Sequence, residues 1–277
     1  MTTTHKTLKG KIDDAAQRLA DDLAAGRSEN LRRYLAVMSR FHRYSLANQM
    51  LIAAQSPTAT KVAGFRAWQR LGRHVKKGSR AIYVFAPIKR RRRSESEDER
   101  EPAPTEEEQI VAFRPVAVFD VSQTRGKPLP EPARMGGDPG DLLGRLEAFA
   151  AARQITIERS SAIGTAEGVS TGGRVLIREG LAPAEQFSVT VHELAHELLH
   201  RGDQEPRPDH RVRETEAEAV AFVVCSAVGL EPGTACSDYI QVHQGDRQTL
   251  LASLCRVRRA AGAILEHLYA TPSRKAA

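Results

Sequence analysis

Apolar positions along the chain repeat with helical period over most of its length and with strand period in a few short runs. From 7 to 25, Leu8, Ile12, Ala15, Ala16, Leu19 and Leu23 recur at three- and four-residue steps, which predicts an amphipathic helix ending at Gly26. A second helix is expected over 29–39 and a third after Ser45, whose hydroxyl suits an N-cap. Ala63 to Arg73 reads as a short helix closed by Gly72. The turn Val75-Lys76-Lys77-Gly78 then leads into a strand over 81–86 that stops at Pro87. A returning strand follows over 111–121, then a helix over 141–153 and a strand over 154–159. Gly172 to Arg178 reads as a hairpin turn and strand. Three more helices are expected. One runs from Pro183 to a stop at Gly202, one over 213–225, and one over 247–269, where Leu250, Leu251, Leu254, Val257, Ala261, Ile264, Leu265 and Leu268 form a stripe. No internal repeat is present.

Two stretches break these periods. Residues 88–109 carry the basic run Lys89–Arg93 and then an acidic, proline-containing segment, a composition that cannot bury a core. A solvated, disordered hairpin loop is expected there. The Pro/Gly-rich segment 126–140 reads as a linker, placing a front domain over 1–130, a linker over 131–140 and a back domain over 141–277. The fold class expected is α+β: front helices with a small antiparallel sheet, and behind them a zincin-like domain with a short antiparallel sheet.

Charge separates the same two halves. Residues 1–88 hold 16 Lys+Arg against 5 Asp+Glu, a net +11, whereas residues 109–277 hold 19 against 21, a net −2. Such asymmetry points to a nucleic-acid partner for the front. No run of eighteen apolar residues exists, and the first residues lack the apolar core of a signal peptide, so neither membrane insertion nor export is expected. Three cysteines, odd in number and without CxxC spacing, read as reduced thiols of a cytosolic chain rather than a disulfide framework or a second metal site.

The chemistry concentrates in Val191-His192-Glu193-Leu194-Ala195-His196. Histidines four apart stack on one helix face, where both can reach one Zn²⁺, and Glu193 can take a proton from the attacking water. The pentapeptide alone is not decisive. Its context supports it, because the apolar stripe of Phe187, Val191, Leu194, Ala195, Leu198 and Leu199 would bury the helix that carries it. A catalytic zinc needs a third protein ligand. The next helix offers Glu214, Glu216 and Glu218. Glu214 and Glu218 share a face, so Glu214 is taken as ligand and Glu218 as acceptor for the other ring N–H of His192. His200 continues the histidine face one turn further and is read as structural. Tyr239, and less strongly His243, are candidate oxyanion donors. Gly172–Arg178 is the candidate strand for pairing with a substrate backbone.

In the front half, Tyr34, Phe41, Tyr44, Phe65, Trp68 and Tyr83 are interleaved with cations. Stacking platforms flanked by cations suit sequence-tolerant binding of single-stranded DNA. The candidate contacts are Arg40, Arg43, Tyr44, Asn48, Arg66, Trp68, Arg70, Arg73, Lys76, Lys77 and Arg80. Core packing of any single aromatic is the ordinary alternative.

Two resemblances bear on this reading. His192-Glu193-Leu194-Ala195-His196 followed by Glu214-x-Glu216-Ala217-Glu218-x-Val220-Ala221-Phe222 resembles the Glu-zincin peptidases of the ImmA/IrrE type, which implies Glu214 as the third ligand. Arg43-Tyr44-Ser45-x-x-Asn48, Val62-Ala63-Gly64-Phe65-x-x-Trp68-x-x-Leu71-Gly72-Arg73-x-Val75-x-Lys77-Gly78 and Val118-Phe119-Asp120-Val121-Ser122-Gln123-Thr124 resemble the N-terminal domain of ArdC-type antirestriction proteins. That resemblance implies a single-stranded-DNA-binding domain joined to a zinc metallopeptidase-like domain acting on an unidentified protein substrate. Tyr239-Ile240-Gln241-Val242-His243 departs from the family's pattern, which ends in Trp. The expected function is protection of incoming plasmid or phage DNA. The alternatives are a non-proteolytic coat on single strands and a peptidase acting on a repressor or on DNA-bound proteins.

Overall fold

The computed structural model describes residues 3–91, 108–129, 139–202, 208–230 and 246–270. Three helices open the chain: α1 (Thr3–Ala24), α2 (Glu29–Arg40) and α3 (Leu46–Gln55), the last capped by Ser45, whose side chain accepts from the Asn48 backbone. A short strand β1 (Val62–Gly64), helix α4 (Phe65–Arg70) and strand β2 (Arg73–Val75) lead to the long strands β3 (Ile82–Arg91) and β4 (Glu108–Asp120). A 3₁₀ turn at Val121–Gln123 and strand β5 (Thr124–Gly126) complete the front. The back comprises α5 (Leu142–Ala151), β6 (Thr156–Ser160), β7 (Gly168–Ser170), β8 (Arg174–Arg178), α6 (Pro183–His200), α7 (His210–Val228) and α8 (Arg247–Leu268). The architecture is α+β, as expected.

The front sheet has the order β1-β4-β3 and is antiparallel throughout, while β2 pairs with β5 in a separate ribbon. Its strands run further than the sequence reading places them. β3 continues through Pro87 to Arg91, and β4 begins at Glu108, so the ends of the expected 88–109 loop are strand. Residues 92–107 lie outside the described ones. Pro87 is tolerated because β3 is an edge strand and needs a donor on one side only. A bulge at Ile88/Lys89 absorbs one extra residue of β4.

The free edge of β3 is gripped by side chains of α3. The Asn48 amide donates to the Phe85 carbonyl and accepts from the Phe85 N–H, both at 2.8 Å. Gln55, two helical turns on, makes the same reciprocal pair with Tyr83, at 2.9 and 3.1 Å. Two amides thus stand in for a neighbouring strand. Asp120 ties the far end of β4 to the chain before β1: it accepts from the Thr60 and Lys61 N–H groups and from the Ser122 N–H and hydroxyl. Burial alone would raise its carboxyl, but these four donors outweigh it and hold the group below its ordinary value.

The main core crosses the expected domain boundary. Leu31, Tyr34, Leu35 and Met38 on one face of α2, with Leu19 and Leu23 of α1, join a single cluster with residues of α5, α6, α7 and α8. α7 is apolar on all sides from Ala219 to Cys225, so it needs cover on more than one face, and α2 supplies part of it. Val37 and Phe41 enter a smaller core with Ile52, Ile82, Val84 and Val118 under the front sheet. α2 therefore bridges both cores.

In the back sheet the order is β6-β8-β7, with β6 parallel and β7 antiparallel to β8. This corrects the expected substrate strand. β8 is central and paired on both sides, so the strand with an unpaired edge beside α6 is β7.

Candidate metal centre

Pro183 opens α6 in its first turn, and Phe187, Val191, Leu194 and Ala195 are fully buried against the core. Burying that stripe turns His192 and His196 towards α7. α7 ends in a left-handed glycine, Gly229 (φ 84), while its polar first turns carry Glu214. His192 Nε2 and His196 Nε2 lie 3.1 Å apart, and the Glu214 carboxylate oxygens approach them to 3.4 Å each. A tetrahedral metal with ligands at about 2.0–2.1 Å requires ligand atoms roughly 3.3 Å from one another. The two histidine nitrogens, each faced by a different oxygen of the Glu214 carboxylate, therefore converge at spacings close to those of such a tetrahedron. Among the described residues, these three are the group of side chains whose ligand atoms converge in this way.

The neighbouring carboxylates do different things. Glu218 Oε2 lies 3.8 Å from His192 Nδ1, the nitrogen turned away from the cluster. Glu216 is fully buried and points to the other side of α7, where the Arg256 guanidinium of α8 donates to both of its oxygens. His200 sits there too, its Nε2 3.6 Å from Glu216. Burial, with the positive neighbours His196, Arg213 and Arg256, pushes His200 down to about 4, so it stays neutral. Glu193 points into the cleft beside the histidines and is 8% exposed. Burial raises its carboxyl, only partly offset by His192 and His196. Burial disfavours a proton on His192, yet Glu214, Glu193 and Glu218 together hold it above an ordinary imidazole, and the two histidines hold Glu214 far below an ordinary carboxylate. The cleft has two lobes, of about 530 and 450 Å³, both reached by His192, Glu193 and Gly168. Tyr239 and His243 lie outside the described residues.

The sequence reading missed two parts of this site. Gly168 of β7 is packed against the base: a Cβ there would lie 2.7 Å from Glu193 Cγ. Glu197, one turn beyond Glu193, is buried with both oxygens bound to the β7–β8 turn. The only sequence signals were a second glutamate on the histidine helix and the pair Gly172-Gly173.

The front candidates divide. Trp68 is buried, its indole N–H donating to the Phe119 carbonyl at 2.9 Å, and Asn48 is committed to β3. Tyr44 is half-buried against Phe41. Arg40 donates to Pro57, Lys76 to Ser122, and Arg73 to Thr124 and Lys127. Arg43 is exposed. Arg66, Arg70, Lys77 and Arg80 are exposed, and their side chains make no hydrogen bond or ion pair among the described residues.

Residues 8–119 match the family model described as the N-terminal domain of anti-restriction factor ArdC. Over 242 residues the chain is 26% identical to an uncharacterized protein of Bacillus anthracis, a match covering 73% of this chain. The chain spans about two fifths of that relative's length (41%). Among solved structures it is similar to the metal-free crystal structure of antirestriction ArdC protein from the R388 plasmid, with a TM-score of 0.54, 19% identity, and coverage of 93% of this chain and 97% of that one. A second match is the Mn(II)-bound structure of the same plasmid protein, with a TM-score of 0.49 and 16% identity over 85% of this chain and 98% of that one. Residues 8–119 thus match the ArdC N-terminal domain model, and the chain as a whole shares the fold of the plasmid ArdC protein.

Proposed function

We propose that the chain is a cytoplasmic antirestriction protein that binds single-stranded DNA through its front surface and hydrolyses peptide bonds at the His192–His196–Glu214 centre. The observation that carries the catalytic half is the convergence of the two histidine nitrogens, 3.1 Å apart, on the Glu214 carboxylate at 3.4 Å, with the buried Glu193 carboxylate beside it. His192, His196 and Glu214 would hold Zn²⁺, which when bound supplies Lewis acidity towards a water and a scissile carbonyl. Glu193 takes the proton of the attacking water and delivers it to the leaving amine. Its raised carboxyl suits both halves of that transfer. Glu218 steadies His192 from its outer nitrogen. The unpaired edge of β7, against Glu193, receives the substrate backbone in extended form.

The DNA half rests on the ArdC N-terminal domain match and on the free cations Arg66, Arg70, Lys77 and Arg80. Trp68 and Asn48 leave the proposed contact set because their polar groups are spent inside the domain.

The test is Glu193→Gln in the full-length chain. It preserves size and leaves all three ligands in place, so metal content and DNA binding should survive while proteolysis falls by several orders of magnitude. Undiminished cleavage would remove Glu193 from the chemistry. Plasmid protection that persists in this variant would assign the biological role to binding alone.

A further inference from the structure

We infer that Glu197 is a positioning residue for the substrate: it fixes the free edge of β7 relative to the metal ligands, so that an extended polypeptide pairs in one register. The inference rests on the peptidase reading above and deepens it.

β7 has three residues, too few to hold a straight edge by its own pairing. The Thr171 N–H donates to the Arg174 carbonyl, and the Arg178 N–H to the Glu167 carbonyl. In the alternation of an antiparallel ladder, that turns the backbone groups of Gly168 and Ser170 away from β8, with the Ser170 N–H directed to the Glu193 carboxylate and the Gly168 groups left on the edge. This edge lines the larger lobe of the cleft with His192, Glu193 and His196. It is clamped at both ends by one helix. At the first end Gly168 lies so close to Glu193 that no side chain fits between them. At the other end Glu197 Oε1 accepts from the Ser170 hydroxyl at 2.6 Å and the Gly172 N–H at 2.8 Å, while Oε2 accepts from the Gly173 N–H at 2.6 Å. Gly172 and Gly173 both lie at positive φ (76° and 99°), which turns their successive N–H groups to one side. The Glu197 side chain is fully buried, with Arg201 as a distant counter-charge at 3.8 Å.

Glu193 and Glu197 are four apart, as are His192 and His196. The helix that sets the metal ligands therefore also sets the edge, and their spacing is that of a single rigid element. A carboxylate is what the turn requires, since it presents acceptors only to three converging donors. Without it the short strand would fray, and the substrate would have to order it on binding.

The test uses the full-length, metal-loaded protein and two probes: acetohydroxamate, which reaches the metal alone, and a tetra-alanine peptide hydroxamate, which also spans β7. In the wild type the peptide should tighten binding. In Glu197→Ala that gain should fall about tenfold, with acetohydroxamate affinity and metal content unchanged. Amide exchange should quicken at 168–173 but not in α6. Glu197→Gln, which keeps one acceptor, should recover part of the gain and also serves if the alanine variant misfolds. Unchanged peptide affinity in both variants would overturn the inference. So would joint loss of both probes and the metal, which would make Glu197 a support of the helix only. A wild type that binds acetohydroxamate but gains nothing from the peptide would refute the edge while sparing the metal centre. A wild type that binds neither probe would refute the peptidase reading and this inference with it.

Discussion

The two charged regions of this molecule are built on opposite principles. At the metal centre, α6 and α7 contribute their apolar faces to the main core, which fixes the helices that carry His192, His196 and Glu214. On the front surface, the cations sit on a six-residue helix, a turn and a strand entry, above a small core of seven buried residues. The metal binding proposed for the first region depends on angles, because its ligand atoms must meet at tetrahedral spacing. The DNA binding proposed for the second depends on summed charge, and any one cation can be moved or spent on the fold. Arg73 and Lys76 are in fact spent that way.

The largest effect that sharpens this contrast is expected from Glu216→Ala, against Glu214→Ala. The Glu214 side chain is 40% exposed and faces only histidines among its ion-pair partners, so its loss should empty the site with little effect on folding. Glu216→Ala leaves the ligands intact but strips Arg256 of its buried partner, which should cost about 2–3 kcal/mol, discounted because Arg256 is itself 36% exposed on its side chain. Chemical denaturation reads the difference. Equal stability in the two variants would mean that α7 does not separate its two carboxylates as described.

Asp120→Asn is the front-sheet counterpart, expected to cost about 1–3 kcal/mol through the loss of acceptors for buried donors. Its sign with pH follows from its lowered carboxyl. The contribution is present above the ordinary carboxylate value and lost as pH falls through the folded one, so acid unfolding of the wild type should steepen below about pH 4, and the variant should lack that step. At the metal centre metal affinity should also rise with pH, for a different reason. His192 holds its proton above the ordinary imidazole value and must release it to bind a metal, so uptake near pH 7 should release protons, as calorimetry in buffers of different ionisation enthalpy would show.

The smallest effect belongs to the front surface. Paired alanines at Arg66/Arg70 or Lys77/Arg80 should weaken single-strand binding without changing stability and flatten the salt slope by about one unit. A pair that leaves the slope untouched would move the interface elsewhere. The measurement needs the full chain, because α1 and α2 share a core with α7 and α8 and a fragment of the front half would expose it.

What could be read in the sequence follows the same division. The long helices were legible because their stripes hold over four or more turns, and with them the convergence of His192, His196 and Glu214. β7 was not, because three residues between a serine-rich loop and two glycines carry no alternation. The reach of β3 past Pro87 was hidden because a proline ends a central strand but not an edge. Trp68 and Asn48 look like contact residues in a basic stretch, and only their partners, the Phe119 carbonyl and the Phe85 backbone, show that they face inward. The Glu216–Arg256 pair joins residues forty apart that no local pattern connects.

The central claim is that Glu214, and not the other two glutamates of α7, completes the metal centre. Elemental analysis of purified wild type, Glu214→Ala, Glu216→Ala and Glu218→Ala, read for both zinc and manganese, tests it directly. The geometry predicts about one metal per chain in the wild type, near-complete loss in Glu214→Ala, retention in Glu216→Ala, and weakened retention in Glu218→Ala, as expected for the partner of a ligating histidine. A fully loaded Glu214→Ala protein beside an empty Glu216→Ala or Glu218→Ala one would contradict it.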